Sequence, residues 1–520
     1  MKIERTKNAV RNIRYGVILK LYQMLLPFLM RTVMIYAMGV QYLGLNSLFT
    51  SILQVLNLAE LGVGSAMVYS MYKPLANDDH ETICALMKLY RTYYRIIGLI
   101  IAVVGLLLTP FIPKLISGEI PADVNIYTLY LLNLSATVAS YWLFAYKNSI
   151  LQASQRLDVV NKVMLLTNTL QSAAQLVMLL VFKNYYYYLI VTLATQILTN
   201  IITAIAANKL YPQYKPLGEL DKSIVDAIKG RFKDLFTSKI GQIVYDSADT
   251  IVISAFLGLA TLAIYQNYFF ILTSVTAFIT IVFSACTAGI GNSLVVESKE
   301  KNFGDFNKFT LITSWIAGFC GTCLLCIYQP FMELWVGKDL MLPFSAVVCF
   351  AVYFFTRQIN SLYNLYKDAA GMWHEDRFRP LITSLVNLGL NLVLVQFWGI
   401  YGVLISTVIA IVFVGMPWLF INLFTVIFER KAMATHLKKL LTYVLVTVVA
   451  AAVTYALCSL ISVGLIPTIL LRMAICLVVP NALYCLAFRT TDEFQQILVM
   501  ADRITRGKLR KVLRLLECRK

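Results

Sequence analysis

Stretches of about twenty apolar residues, each long enough to cross a bilayer, recur along this chain. They alternate between loops rich in Lys and Arg and loops almost without them. The basic side takes in the start (Lys2, Arg5, Lys7, Arg11, Arg14), Lys88 with Arg91 and Arg95, and Lys147 with Arg156 and Lys162. It continues through Lys209 to Lys239, Lys299 to Lys308, Arg377 with Arg379, Arg430 to Lys439 and the C-terminal tail. Turns around Val40, Gly258, Trp398 and Val463 carry almost no charge. By the positive-inside rule this predicts a multi-pass membrane protein with both termini cytoplasmic.

Composition agrees, since a soluble chain with 59% hydrophobic and 14% charged residues could not hide its apolar surface. The net charge of +18 is spread over loops that would face an anionic leaflet, so it reads as a topology signal and predicts no nucleic-acid partner. About fourteen spans are expected: 15–38, 43–70, 94–117, 124–146, 160–182, 185–207, 236–257, 260–292, 308–330, 342–366, 379–397, 400–428, 437–461 and 465–488. The first follows a basic start, as a signal peptide does, but it is too long and contains Lys20 and Arg31.

The two halves match. Lys20-x-x-Gln23 opens the first span and Lys239-x-x-Gln242 the seventh, a shift of 239 − 20 = 219. The same shift pairs Gly39 with Gly258, Leu53 with Leu272 and Asn168 with Asn387, while Tyr146-Lys147 lies one residue off Tyr366-Lys367. A register held this long predicts a duplication of six spans. The expected architecture is all-α: a six-helix bundle over 1–207, a cytoplasmic loop over 208–235, and a second bundle over 236–428. Two additional transmembrane helices over 429–488 and a basic cytoplasmic tail over 489–520 complete it.

Three spans carry polar residues in a stripe. Lys20, Gln23, Pro27 and Arg31, then Lys239, Gln242, Asp246 and Asp249, then Arg357, Asn360, Asn364 and Lys367 each fall on one helical face. Such a face cannot point into lipid and predicts a lined cavity. Glu60, beside Gly62 and Gly64, lies near mid-depth. Lys20, Gln23, Arg31, Lys239, Gln242, Arg357, Asn360 and Asn364 are candidate cargo-binding groups; Glu60, Asp246 and Asp249 are candidate sites for coupling to H⁺ or Na⁺. The structural alternative is ion pairing, of Arg31 with Glu60 or Arg357 with Asp249. Arg472, near the outer end of the last span, is expected to snorkel.

No enzyme is legible: there is no Walker loop, dinucleotide fingerprint or nucleophile elbow. Cys320, Cys323 and Cys326 are spaced C-x-x-C-x-x-C but lie in an apolar helix without a fourth ligand nearby in sequence, and read as packing residues. His80, His374 and His436 are expected in cytoplasmic loops without metal-ligand spacing. Tyr185 to Tyr188, Trp335 and Trp398 read as an interfacial belt, with sugar stacking as the sharper alternative. The stretch from Asp502 to Lys520 reads as a basic amphipathic anchor on the inner leaflet.

Four stretches resemble the Wzx-type flippases of the multidrug/oligosaccharidyl-lipid/polysaccharide exporter superfamily. They are NLAELGVGSAMVYSMYK (Asn57 to Lys73), SADTIVISAFLGLATLAIYQNY (Ser247 to Tyr268), KDAAGMWHEDRFRPLITSLVN (Lys367 to Asn387) and GIYGVLIST (Gly399 to Thr407). The resemblance implies a MATE-like 6+6 fold in a bacterial cytoplasmic membrane and alternating access around a central cavity. The implied cargo is an undecaprenyl-pyrophosphate-linked oligosaccharide repeat unit, and the implied partners are membrane lipids and polysaccharide polymerase and export machinery. A multidrug exporter of the same superfamily is the main rival, and a membrane glycan polymerase or ligase a weaker one. The first should show a mainly acidic cavity, and the second needs a large outer domain that these short loops do not supply.

Overall fold

A computed structural model describes residues 5–60, 63–461 and 463–504, apart from the side chains of residues 5–10, 13, 59, 65, 227, 229–239, 282, 285, 288 and 503–504. The helices are α1 (Arg5–Ala37), α2 (Val40–Leu56), α3 (Val63–Ala76), α4 (His80–Leu108), α5 (Ile126–Trp142), α6 (Lys147–Ala153), α7 (Leu157–Val177), α8 (Tyr185–Leu210) and α9 (Lys222–Val296). They continue as α10 (Lys299–Val336), α11 (Phe344–Ala369), α12 (Arg379–Trp398), α13 (Ile400–Ala410), α14 (Met416–Val426), α15 (Met433–Ser459), α16 (Leu465–Phe488) and α17 (Asp492–Ile504). In hydrocarbon every backbone group must be satisfied within its own segment, which is why apolar runs of this length become helices. Side chains cap several entries: Asp79 accepts from Thr82 N, Asn125 from Thr128 N and Ser298 from Lys301 N.

Among the described residues, ten helical stretches are long and apolar enough to cross a membrane. One of them, Ile240–Ile281, takes in most of two expected spans. Three more expected spans appear as shorter or more polar helices: α2 and α5 run 17 residues each, and α11 carries Arg357, Gln358, Asn360 and Asn364. The all-α polytopic architecture is therefore present. The tail segment 505–520 lies outside the described residues.

Backbone geometry repeats with the sequence. Gly39 (φ 113°, ψ 162°) separates α1 from α2, and Gly258 (φ 85°, ψ 171°) interrupts α9 at the matching place. Gly118 (φ 79°) and Gly337 (φ 83°) keep the same shift, 337 − 118 = 219. Positive φ strains any residue with a Cβ, so glycine is retained at both copies of each turn.

By internal packing the chain forms two units, Met1–Ala263 and Ile264–Lys520. The first includes the part of α9 that precedes its break. There Ser117 N donates to Ser254 O at 2.9 Å, and Ser254 Oγ donates to Leu115 O at 2.7 Å. A Cβ on Gly44 would overlap the Leu259 carbonyl, so this close approach depends on glycine.

The second unit packs Phe303, Phe306, Tyr363, Phe420 and Phe424 around His436. Its imidazole lies 3.0 Å from Tyr363 Oη and 2.8 Å from Asn307 Oδ1. His436 thus sits in the first turn of α15, fully buried, not in a loop, because two facing helices, α10 and α11, each supply a hydrogen-bond partner. Further along, α15 and α16 lie against α10, where Trp315 Nε1 donates to Asn481 Oδ1 at 2.8 Å and Tyr484 Oη donates to Ser314 O at 3.0 Å. Lipid gives helices no hydrophobic reason to associate, so such bonds and the close approach at Gly318 hold them; each bond contributes about 0.6–2 kcal/mol.

Candidate functional site

The first unit builds a cage around Glu60. Helix α2 ends at Leu56 and tightens into a 3₁₀ turn over Asn57–Glu60 before helix resumes at Val63. The carboxylate accepts from Tyr94 Oη at 2.5 Å and from Tyr141 Oη at 2.8 Å. Tyr90 donates to Tyr94 at 2.6 Å, and Tyr141 also reaches Asn57 Oδ1 at 3.2 Å. Gly64 leaves room beside it, since a Cβ there would meet Tyr90 Oη at 3.1 Å and Glu60 Oε1 at 3.6 Å. Hydrogen-bonded phenols let an acid sit away from water at lower cost than an unpartnered one. Sequence reasoning found Glu60 and missed its tyrosines, because a Tyr in an apolar helix carries no distinguishing pattern.

The stripe of α1 grades from exposed to enclosed. Lys20 and Gln23 are exposed, whereas Arg31 is half-buried beside Tyr188. Tyr188 stacks on Tyr185 at 5.5 Å, and Tyr185 meets Tyr42 edge-on at 5.3 Å. Tyr185, Tyr188 and Trp335 are therefore buried packing groups and not members of an interfacial belt, while Tyr187 and Trp398 are exposed as a belt requires. In α9, Gln242 Nε2 donates to Asp246 Oδ2 at 2.8 Å, and Asp249 is buried. The side chain of Lys239 lies outside the described residues.

In the second unit, Arg357 Nη1 donates to Tyr353 Oη at 2.6 Å. Asn364 Nδ2 donates to Asn360 O at 2.8 Å, and its Oδ1 accepts from Arg379 Nη2 at 2.8 Å. Asn360 Oδ1 is buried and has no partner among the described residues. The opposite side of α11 is apolar: Phe355, Ile359 and Tyr363 line a cavity of about 1020 Å³ whose other walls come from α10, α14 and α15. No residue of the polar stripes lines it. One helix thus presents a cation and amides on one face and an apolar hollow on the other.

Two buried aspartates escaped sequence reasoning. Asp158, at the start of α7, pairs with Arg156 at 2.9 Å, Lys162 at 3.7 Å and Arg11 at 3.9 Å. Asp376 pairs with Arg379 at 2.5 Å and Lys367 at 3.5 Å. Several loop cations read as topology signals therefore also neutralise a buried carboxylate. Arg472 is half-buried, and its Nη1 donates to Cys326 O at 3.0 Å.

No protein-family model and no curated protein matches this chain. Its fold does have solved counterparts. A lipid II flippase, MurJ, in an inward closed conformation superposes with a TM-score of 0.65 at 16% identity, over 92% of this chain and 99% of that one. An inward-facing multidrug resistance transporter of the MATE family gives 0.61 at 14% identity, over 81% of this chain and 99% of that one. A transporter of the same MOP superfamily from Pyrococcus furiosus, described as having a reversed polarity of its binding pocket, gives 0.51 at 14% identity, over 82% of this chain and 96% of that one. At such identities the likeness is one of fold.

Proposed function

We propose that the protein is a flippase that carries a polyprenyl-pyrophosphate-linked oligosaccharide from the cytoplasmic to the outer leaflet. The observation that carries this reading is the two-faced helix α11, with Arg357 and Asn360 on one side and the apolar cavity of about 1020 Å³ on the other. A lipid-linked sugar needs both surfaces, a polar route for its headgroup and an apolar one for its tail. Leaving the headgroup to cross hydrocarbon alone would cost about 4–8 kcal/mol for each unpaired hydroxyl. Cations suit the pyrophosphate, and Arg suits it by forked contact. Outward movement of about two negative charges is favoured by roughly 4–5 kcal/mol per 100 mV of inside-negative potential.

Of the two helices outside the repeat, α15 walls the apolar cavity. A multidrug exporter remains the rival reading, supported by the acids Glu60, Asp246 and Asp249.

The test is transport by purified protein in liposomes loaded on one face with a fluorescent polyprenyl-pyrophosphate oligosaccharide. Label should become accessible to an impermeant quencher in a protein-dependent way, and deletion of the gene should leave single lipid-linked repeat units on the cytoplasmic face. Unchanged lipid-linked intermediates in the deletion strain, together with efflux of organic cations by the purified protein, would replace this reading with the exporter.

A further inference from the structure

Cys326 of α10, Cys458 of α15 and Cys476 of α16 converge although no two share a helix. Their three Sγ atoms all lie within 4.8 Å of one another, and all three residues are fully buried. Ile327, Tyr455 and Ile475 pack around them, and Cys323, one turn before Cys326, brings its thiol within reach of Cys476. Arg472 closes one side: its Nη1 is held by Cys326 O at 3.0 Å, and its buried Nε has no acceptor among the described residues.

We propose that Cys326, Cys458 and Cys476 bind a soft monovalent metal ion, Cu(I), as a three-thiolate site that fastens α15 and α16 to α10. The geometry needs little adjustment. With metal–sulfur bonds of about 2.3 Å, as for thiolate on Zn, a trigonal plane sets its sulfurs about 4.0 Å apart. Soft ligands without carboxylate or imidazole select Cu(I) over harder ions, and three sulfurs in an apolar shell leave no open position of the kind a catalytic Zn site keeps.

Binding forms three metal–sulfur bonds and releases three thiol protons to water, leaving a site of net charge −2. The Arg472 guanidinium beside it offsets one of those charges. Cys458 is the penultimate residue of its helix, so the ion has a short path from the helix end. Of these helices, α16 is also pinned to α10 by Trp315 with Asn481 and by Tyr484 with Ser314, which makes the metal a second fastening point for it.

The experiment uses full-length protein, purified in detergent without oxygen and titrated with Cu(I) delivered from its bathocuproine disulfonate complex. The expected result is one copper per chain after gel filtration, a sulfur-to-copper absorption in the near ultraviolet and a higher unfolding temperature. Cys326→Ser, Cys458→Ser and Cys476→Ser should each weaken retention about tenfold or more, since one of three ligands is lost. Cys349→Ser and Cys485→Ser should not. If a variant fails to fold, titration of the parent protein alone decides. No copper held against the competitor, copper held equally by the triple variant, preference for Zn(II), or a disulfide among these cysteines in freshly isolated protein would each overturn the proposal.

Discussion

Residues 57–64 and 276–283 occupy the same place in the two repeats, yet one is broken and acidic and the other continuous and apolar. In the first, Asn57–Glu60 forms a 3₁₀ turn and Glu60 is clasped by Tyr94 and Tyr141. In the second, α9 runs on as helix to Val296, with Ile279 at the position of Glu60 and Ile281 and Phe283 at those of Gly62 and Gly64. Its polar bond there is modest, from Gln358 Nε2 to Thr276 Oγ1 at 3.2 Å. The opposite asymmetry appears at Arg357, whose counterpart at the same shift is Val138. At these two positions the duplicated scaffold carries different charges, the acid Glu60 in the first repeat and the cation Arg357 in the second. For the proposed activity the pair assigns ion response to Glu60 and anion contact to Arg357, beside Lys20 and Arg31 of the first repeat and Asp246 and Asp249 of the second.

Four measurements break or sharpen that comparison. Arg357→Ala should abolish transport in liposomes while the protein still inserts and accumulates, and Arg357→Lys should recover only part, since a point charge replaces a planar fork. Full transport by the alanine variant would remove the cationic half of the comparison.

Glu60→Gln keeps an acceptor for one phenol but removes the charge, and we expect a folded protein whose transport no longer follows an imposed H⁺ or Na⁺ gradient. A parental response would make the cage structural. Tyr141→Phe should weaken the cage by about 1.5–3 kcal/mol, the range for hydrogen bonds to charged groups. Thermal unfolding checks that figure, with Glu60→Gln/Tyr141→Phe expected to lose less than the sum of the two single changes.

Glycines give a contrast of intermediate size. Gly64→Ala should cut transport severalfold by crowding Tyr90 and Glu60, whereas Gly289→Ala in the second repeat meets nothing within 4 Å. The latter should leave transport unchanged and raise helix stability by about 0.5–1 kcal/mol. Equal effects at the two sites would mean that the break at Glu60 is not functional.

The smallest expected loss is that of Thr276→Val, which removes the Gln358 bond from the continuous helix. It should cost about 1 kcal/mol in unfolding measurements and leave transport intact. A strong transport defect would show that the second repeat retains a working polar site at this position.

The spans, the duplication and most charged stripes were legible because bilayer thickness and helical periodicity act on neighbouring residues. Gly39 and Gly258 were visible as a pair in sequence, and their shared positive φ supplies the reason. Glu60 stood out because an acid in an apolar helix is rare. Its cage did not, since Tyr94 and Tyr141 lie 34 and 81 residues away and a hydroxyl's partner depends on how helices pack. His436 misled for a related reason: basic residues nearby suggested a loop, but burial between Tyr363 and Asn307 decided its place.

By itself, then, the sequence determined that this chain is helical, membrane-spanning and internally repeated, because those properties follow from local hydropathy and spacing. Only the tertiary structure decided which buried groups meet. It set Arg472 against the Cys326 carbonyl and assembled three thiols from helices whose cysteines stand 132 and 18 residues apart (458 − 326 and 476 − 458). Contacts between helices are set by side-chain packing in three dimensions, and no one-dimensional period records which helix will lie against which.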